Sequence, residues 1–162
     1  MRVVSGIEVT TVSTTAQFPV GGKFSVASPS DGTQAQEWIY VKAGVLTVVG
    51  GVMARAAGST TCLGVVKSLV DEPSINIVGI SQHVIALNSY GFLLCKGVGE
   101  VLAGSETIDV DVPIVASAAV VGAAMNATAA AGDAWEVSAF GQASENATST
   151  NLATCFINCP GA

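Results

Sequence analysis

The chain holds a single histidine, His83, four cysteines (Cys62, Cys95, Cys155 and Cys159) and one close pair of aspartates, Asp109 and Asp111. General acid–base or nucleophilic chemistry usually sets a histidine beside a Ser, Cys or carboxylate. In Ser81-Gln82-His83-Val84-Ile85 the bland reading is a strand-end residue with satisfied hydrogen bonds. There is no Gly-x-Ser-x-Gly elbow and no His-Glu-x-x-His helix, and Gly97-Val98-Gly99 lacks the third glycine of a dinucleotide loop. A structural zinc site shows two pairs of close ligands, whereas here only Cys155 and Cys159 are near neighbours. On a strand, those two would share a face about 13 Å apart, too far for a disulfide. The cysteines therefore read as small buried hydrophobes, with a cross-strand pair of Cys62 and Cys95 left open. On one strand face, Asp109 and Asp111 would lie roughly 6–7 Å apart, compatible with paired-carboxylate hydrolysis or calcium. No Asn, Gly and Asp ligands of a calcium loop accompany them, so a solvated strand face is the better reading. A hydrolase would need Asp109, Asp111 and His83 to converge. The expectation is no enzyme, no metal and no cofactor.

Composition narrows the class further. At 162 residues the chain is one domain, at most with an extended arm. Half of it is hydrophobic and only 11% is charged, which excludes intrinsic disorder. Six basic residues are scattered against twelve acidic ones, net -6, so no cluster exists to grip phosphates, and nucleic acid is not an expected partner. The segment 112–131 is the best membrane candidate, but it is mostly Ala and interrupted by Pro113, Asn126 and Thr128, so no membrane partner is expected. The start, Met1-Arg2-Val3-Val4-Ser5-Gly6, lacks the apolar core of a secretory signal, which predicts synthesis in the cytoplasm. The Asn-x-Thr triplets at Asn126 and Asn146 then carry no glycan.

The elements that must position these residues are strands. Val and Ala each occur 24 times, Thr 13 and Ile 9, but Leu only 8, and the β-branched residues fit a pleated surface. With 18 glycines for turns, the prediction is all-β, a sandwich or barrel-like domain of many short strands. Residues 37–42 (Glu-Trp-Ile-Tyr-Val-Lys) predict a strand covered on both faces. Gly50-Gly51 predicts a tight hairpin between 45–49 and 52–55. Further strands are expected at 23–26, 62–70, 75–80, 83–87, 92–96, 135–143 and 152–158, with Gly97-Val98-Gly99 as a turn. Alternation over 107–114 predicts a strand with one wet face, and Pro113 an edge or strand end. For 116–131 a short strand plus a small-residue loop is favoured over helix, because Gly122 interrupts it and no charged face exists.

In order, the chain presents Phe18-Pro19-Val20-Gly21, Asp31-Gly32, the strand from Glu37 to Gly44, Tyr90-Gly91-Phe92-Leu93-Leu94-Cys95-Lys96-Gly97 and Phe140-Gly141-Gln142-Ala143. This series resembles the small decoration, or cement, proteins of tailed-phage heads, over roughly residues 17–158. Leu93, where a second aromatic is common, and the four cysteines depart from that pattern. The resemblance implies a non-enzymatic β module, often trimeric, bound to the outside of an icosahedral shell. Its expected partners are the major capsid protein and further copies of itself, in a homotrimer. Residues 1–16 would be an N-terminal arm or first strand, and 17–162 a single β-rich domain. Candidate contact residues are Arg2, Val3, Val4, Ile7 and Val9 in the arm, with Trp38, Tyr40, Tyr90 and Phe92. The alternative is a head-fibre or spike module binding a host receptor or glycan, which needs Trp38, Tyr40, Tyr90 and Trp135 exposed together.

Overall fold

In the computed structural model, which describes residues 6–27, 35–127 and 139–162, the β-branched composition resolves into strands with no α-helix among the described residues. In chain order these are β1 (Lys23–Ala27), β2 (Ala35–Ala43), β3 (Val52–Ala54), β4 (Leu63–Lys67) and β5 (Ile77–Ile80). They are followed by β6 (Tyr90–Leu102), β7 (Pro113–Ala116), β8 (Ala124–Asn126), β9 (Gly141–Ala143) and β10 (Leu152–Asn158).

Five of them close a barrel. The order β2-β4-β3-β5-β6 returns to β2, which pairs with β6 from Glu37↔Lys96 to Lys42↔Tyr90. Closure removes the open sheet edge and leaves the interior to be filled by side chains. The predicted strand at 37–42 lies inside β2, and both its faces are covered: Trp38, Ile39, Tyr40 and Val41 are all at most 3% exposed. Outside the ring, β1 extends β2 with Lys23 opposite Ile39. The barrel interior is tight enough that a Cβ on Gly79 would sit 2.8 Å from Leu93 Cβ, so only glycine fits there.

A second sheet grows from the far half of β6. Beyond Lys96 that strand pairs with β10, and the order continues through β9 and β7 to β8. Gly97-Val98-Gly99 is therefore not a turn: it lies inside β6, opposite Ile157, Phe156 and Cys155. Gly97 has φ 117, a conformation L residues rarely adopt, and it falls where β6 passes from β2 to β10. The Gly-x-Gly signal marked a kink within a strand.

Three other expectations give way. Gly50-Gly51 makes a turn, but 45–49 is not a strand, because its inward residue is Thr47, hydrogen-bonded to a neighbouring loop, while Leu46 and Val49 face outward. Residues 83–87 are that neighbouring loop, with Ile85 buried and Val84 and Leu87 exposed. Along 107–114 the alternation is interrupted by a turn at Val110 and Asp111, the latter at φ 64. There the N–H groups of Asp109 and Val110 donate to Asn126 Oδ1 (2.8 Å) and Asn146 Oδ1 (2.7 Å), so side-chain amides replace a partner strand. Only Pro113 onward is extended, with the proline first in β7, as a strand end requires. The expected strand-plus-loop after 116 holds through Ala127, with β8 following the turn at 118–122. Of the strand expected at 135–143, residues 135–138 lie outside the described residues, as does Asp31-Gly32.

Candidate contact surface

The residues expected to make contacts divide by where the strands aim them. Arg2, Val3 and Val4 lie outside the described residues. Ile7 and Val9 are half-buried and pack against the core, in a segment where 6–12 forms no strand. That segment is tied down at Ser13, whose N–H and C=O exchange hydrogen bonds with Tyr90 at 3.0 and 2.7 Å.

Trp38, Tyr40 and Phe92 point into the domain. They are 3%, 2% and 1% exposed, so they serve the core rather than the surface. Period-2 alternation placed Trp38 and Tyr40 on one face of β2, but that face is the inside of an aromatic cluster. Phe18 meets Tyr40 edge-on at 5.3 Å, Tyr40 meets Phe92 at 4.9 Å, and Phe24 meets Phe92 edge-on at 5.6 Å. The Tyr40 hydroxyl accepts from the Gln17 N–H at 3.1 Å. Tyr90 is half-buried, stacked on Tyr40 at 6.0 Å, with Lys42 Nζ 5.8 Å above its ring. A sugar-stacking platform using Trp38 and Tyr40 is thus not on the surface, and Trp135 lies outside the described residues.

Exposed apolar side chains stand elsewhere: Leu63, Leu152 and Phe156 on strands, and two further groups on loops. Leu46, Val49, Val84 and Leu87 are exposed, the first, third and fourth by more than half. Their two loops are braced through buried Thr47. Its Oγ1 donates to His83 C=O (3.1 Å) and accepts from Ile85 N–H (2.7 Å) and Ser81 Oγ (3.0 Å). Beneath, both ring nitrogens of His83 are buried without hydrogen-bond partners, and desolvation lowers its pKa. A second group, Leu69, Val70, Val120 and Val121, is carried by loops joined through Asp71 N–H to Ser117 C=O and Gly122 N–H to Ser68 C=O. Recognising Thr47 as the inward residue of Val45-Leu46-Thr47-Val48-Val49 was the one signal that could have exposed the first group.

The residues considered for hydrolysis, Asp109, Asp111 and His83, do not converge. Asp109 Oδ2 accepts from Asn126 Nδ2 at 2.5 Å, and no hydrogen bond joins either aspartate to His83. Among the described residues no three His, Cys, Asp or Glu side chains gather to hold a metal. All four cysteines are buried free thiols, so the open pairing of Cys62 with Cys95 is not formed. Burial pushes Cys95 up to about 11 and Cys155 up to about 12, and raises Cys62 and Cys159 as well. Protonated and enclosed, they pack as small hydrophobes.

A closed five-stranded barrel with a second sheet sharing its longest strand is thus the architecture that this sequence encodes. The same fold occurs in the crystal structure of the head fibre gp8.5 N base of bacteriophage phi29, at a TM-score of 0.54 and 16% identity, covering 75% of this chain and 92% of that one. No family model and no curated protein matches the sequence.

Proposed function

We propose that this chain is a non-enzymatic structural protein of a tailed-phage head, seated on the outside of the assembled shell and stabilising it. The observation that carries this reading is the shared fold with a phage head-fibre base, nearly all of which the match spans. The Val-, Ala- and Gly-rich composition supports it, as do the two apolar loop groups, which suit burial against neighbouring proteins. The partners are the major capsid protein and further copies of the chain in a homotrimer. Because Ile7 and Val9 pack on the chain's own core and Ser13 pairs with Tyr90, the arm contact falls to Arg2, Val3 and Val4, which would add to a neighbour's sheet edge. Because each copy bridges subunits only in the assembled shell, mass action favours assembly, and many such contacts sum to a barrier against rupture.

The test is to produce particles lacking the protein, and others lacking residues 2–12, then heat them. Shells should assemble at normal size yet release DNA at a lower temperature. Unchanged release would remove the stabilising role and leave the host-binding alternative. Failure of shells to form would show that the protein acts during assembly. Sedimentation of the isolated protein at micromolar concentration should show a trimer, and a monomer would count against self-association.

A further inference from the structure

A cleft of about 470 Å³ opens where β1 begins, β3 has ended and β4 is about to start. Its lining includes Lys23, Arg55, Thr60, Thr61, Cys62 and the last residue, Ala162, and no acidic side chain. Two of the chain's six cations therefore share one cleft of a protein with twelve acidic residues. No carboxylate among the described residues pairs with either of them. Arg55 is held in place by backbone carbonyls, Nη1 donating to Ile75 at 3.3 Å and Nη2 to Gly161. Those carbonyls orient the guanidinium without cancelling its charge. A guanidinium fixed in this way presents its charge to an acceptor in the cleft.

We propose that this cleft binds an oxyanion group, a carboxylate or phosphate, with Arg55 as the fixed fork, Lys23 as the mobile second charge and the Thr60 and Thr61 hydroxyls as rim donors. Both cations also act on the Cys62 thiol, pulling its pKa down against the upward push of burial, which places their combined field inside the cleft. The group comes either from an acidic side chain of a neighbouring protein or from a free ion.

The chain should be isotopically labelled and titrated at low ionic strength with inorganic phosphate and, separately, with a Glu-rich peptide. The backbone amides of 60–63 and of Lys23 report on the cleft. Saturable shifts confined to these amides are expected, and sodium chloride should weaken them. Lys23 is exposed, so Lys23→Gln should leave the melting temperature unchanged while weakening binding about tenfold, the effect of one charge-assisted contact. Tighter binding of the peptide names a protein carboxylate as the source, and tighter binding of phosphate names a free ion. Absence of saturable shifts with both probes, or undiminished binding by the Lys23→Gln variant, would overturn the proposal.

Discussion

Thr47 shows how much one hydroxyl can organise. It is fully buried and satisfies groups from Ser81, His83 and Ile85, so it fixes the spacing of the two loops that present Leu46 and Leu87. Thr47→Val keeps the shape but strands the Ile85 N–H, which should cost about 1–3 kcal/mol in urea unfolding. A loss under about 0.5 kcal/mol would show that water replaces the hydroxyl. His83, next to this brace, makes a prediction about pH. Its folded pKa is depressed, so the unfolded chain binds the proton more readily. Stability is then full above the ordinary histidine value near 6.5 and declines as pH falls from there through the folded pKa. His83→Gln should flatten that slope between about pH 7 and 5, and an unaltered slope would assign the acid sensitivity to carboxylates.

Among the elements, Gly97 sets the course of the longest strand. An alanine there must adopt φ 117 and brings its Cβ to 3.0 Å from Gln36 Cγ. Gly97→Ala should cost about 2 kcal/mol or more and speed hydrogen exchange first along β10, where the kinked half of β6 pairs. Equal loss of protection throughout the barrel would mean that the kink is shared by all its neighbours. The same residue shows why the sequence was only partly readable. Residues 37–42 and 152–158 could be assigned because each is a short run rich in apolar, β-branched and aromatic residues with no glycine or proline in it. Gly-x-Gly, however, signals a kink as readily as a turn. Alternation over 107–114 ran straight through a real turn, because Asn126 and Asn146, remote in sequence, supply the acceptors that let the chain bend. The closure of β2 on β6 joins segments some fifty residues apart, a pairing that no local pattern encodes. The aromatic side chains were legible as a group, but whether their face of β2 looked inward or outward depended on that closure.

For the molecule as a whole, the thiols measure global opening. All four are buried, but Cys62 alone among them lines the cleft beside Lys23 and Arg55. A thiol reagent at neutral pH should modify Cys62 first and the other three together, at the rate of unfolding. Fast modification of Cys155 in folded protein would reveal a local opening of the second sheet. Raised folded values also set an alkaline limit: the stabilisation is full below the ordinary thiol value of 9.0 and is lost as pH climbs toward about 11. The sharing of β6 between barrel and second sheet has a mechanical consequence. A pull on β8 divides between β7 and the direct links to the ring, the Ala124–Ala103 bridge just beyond β6 and the Val52 N–H to Gly122 C=O bond of β3. The long β10–β6 ladder, from Leu152↔Leu102 to Asn158↔Lys96, resists in shear, whereas β7 meets β9 at Pro113 and Ile114, the first of which has no N–H to give. Under load the short β7–β9 junction should part before the β10–β6 ladder, while the links of β8 to the ring keep its end anchored.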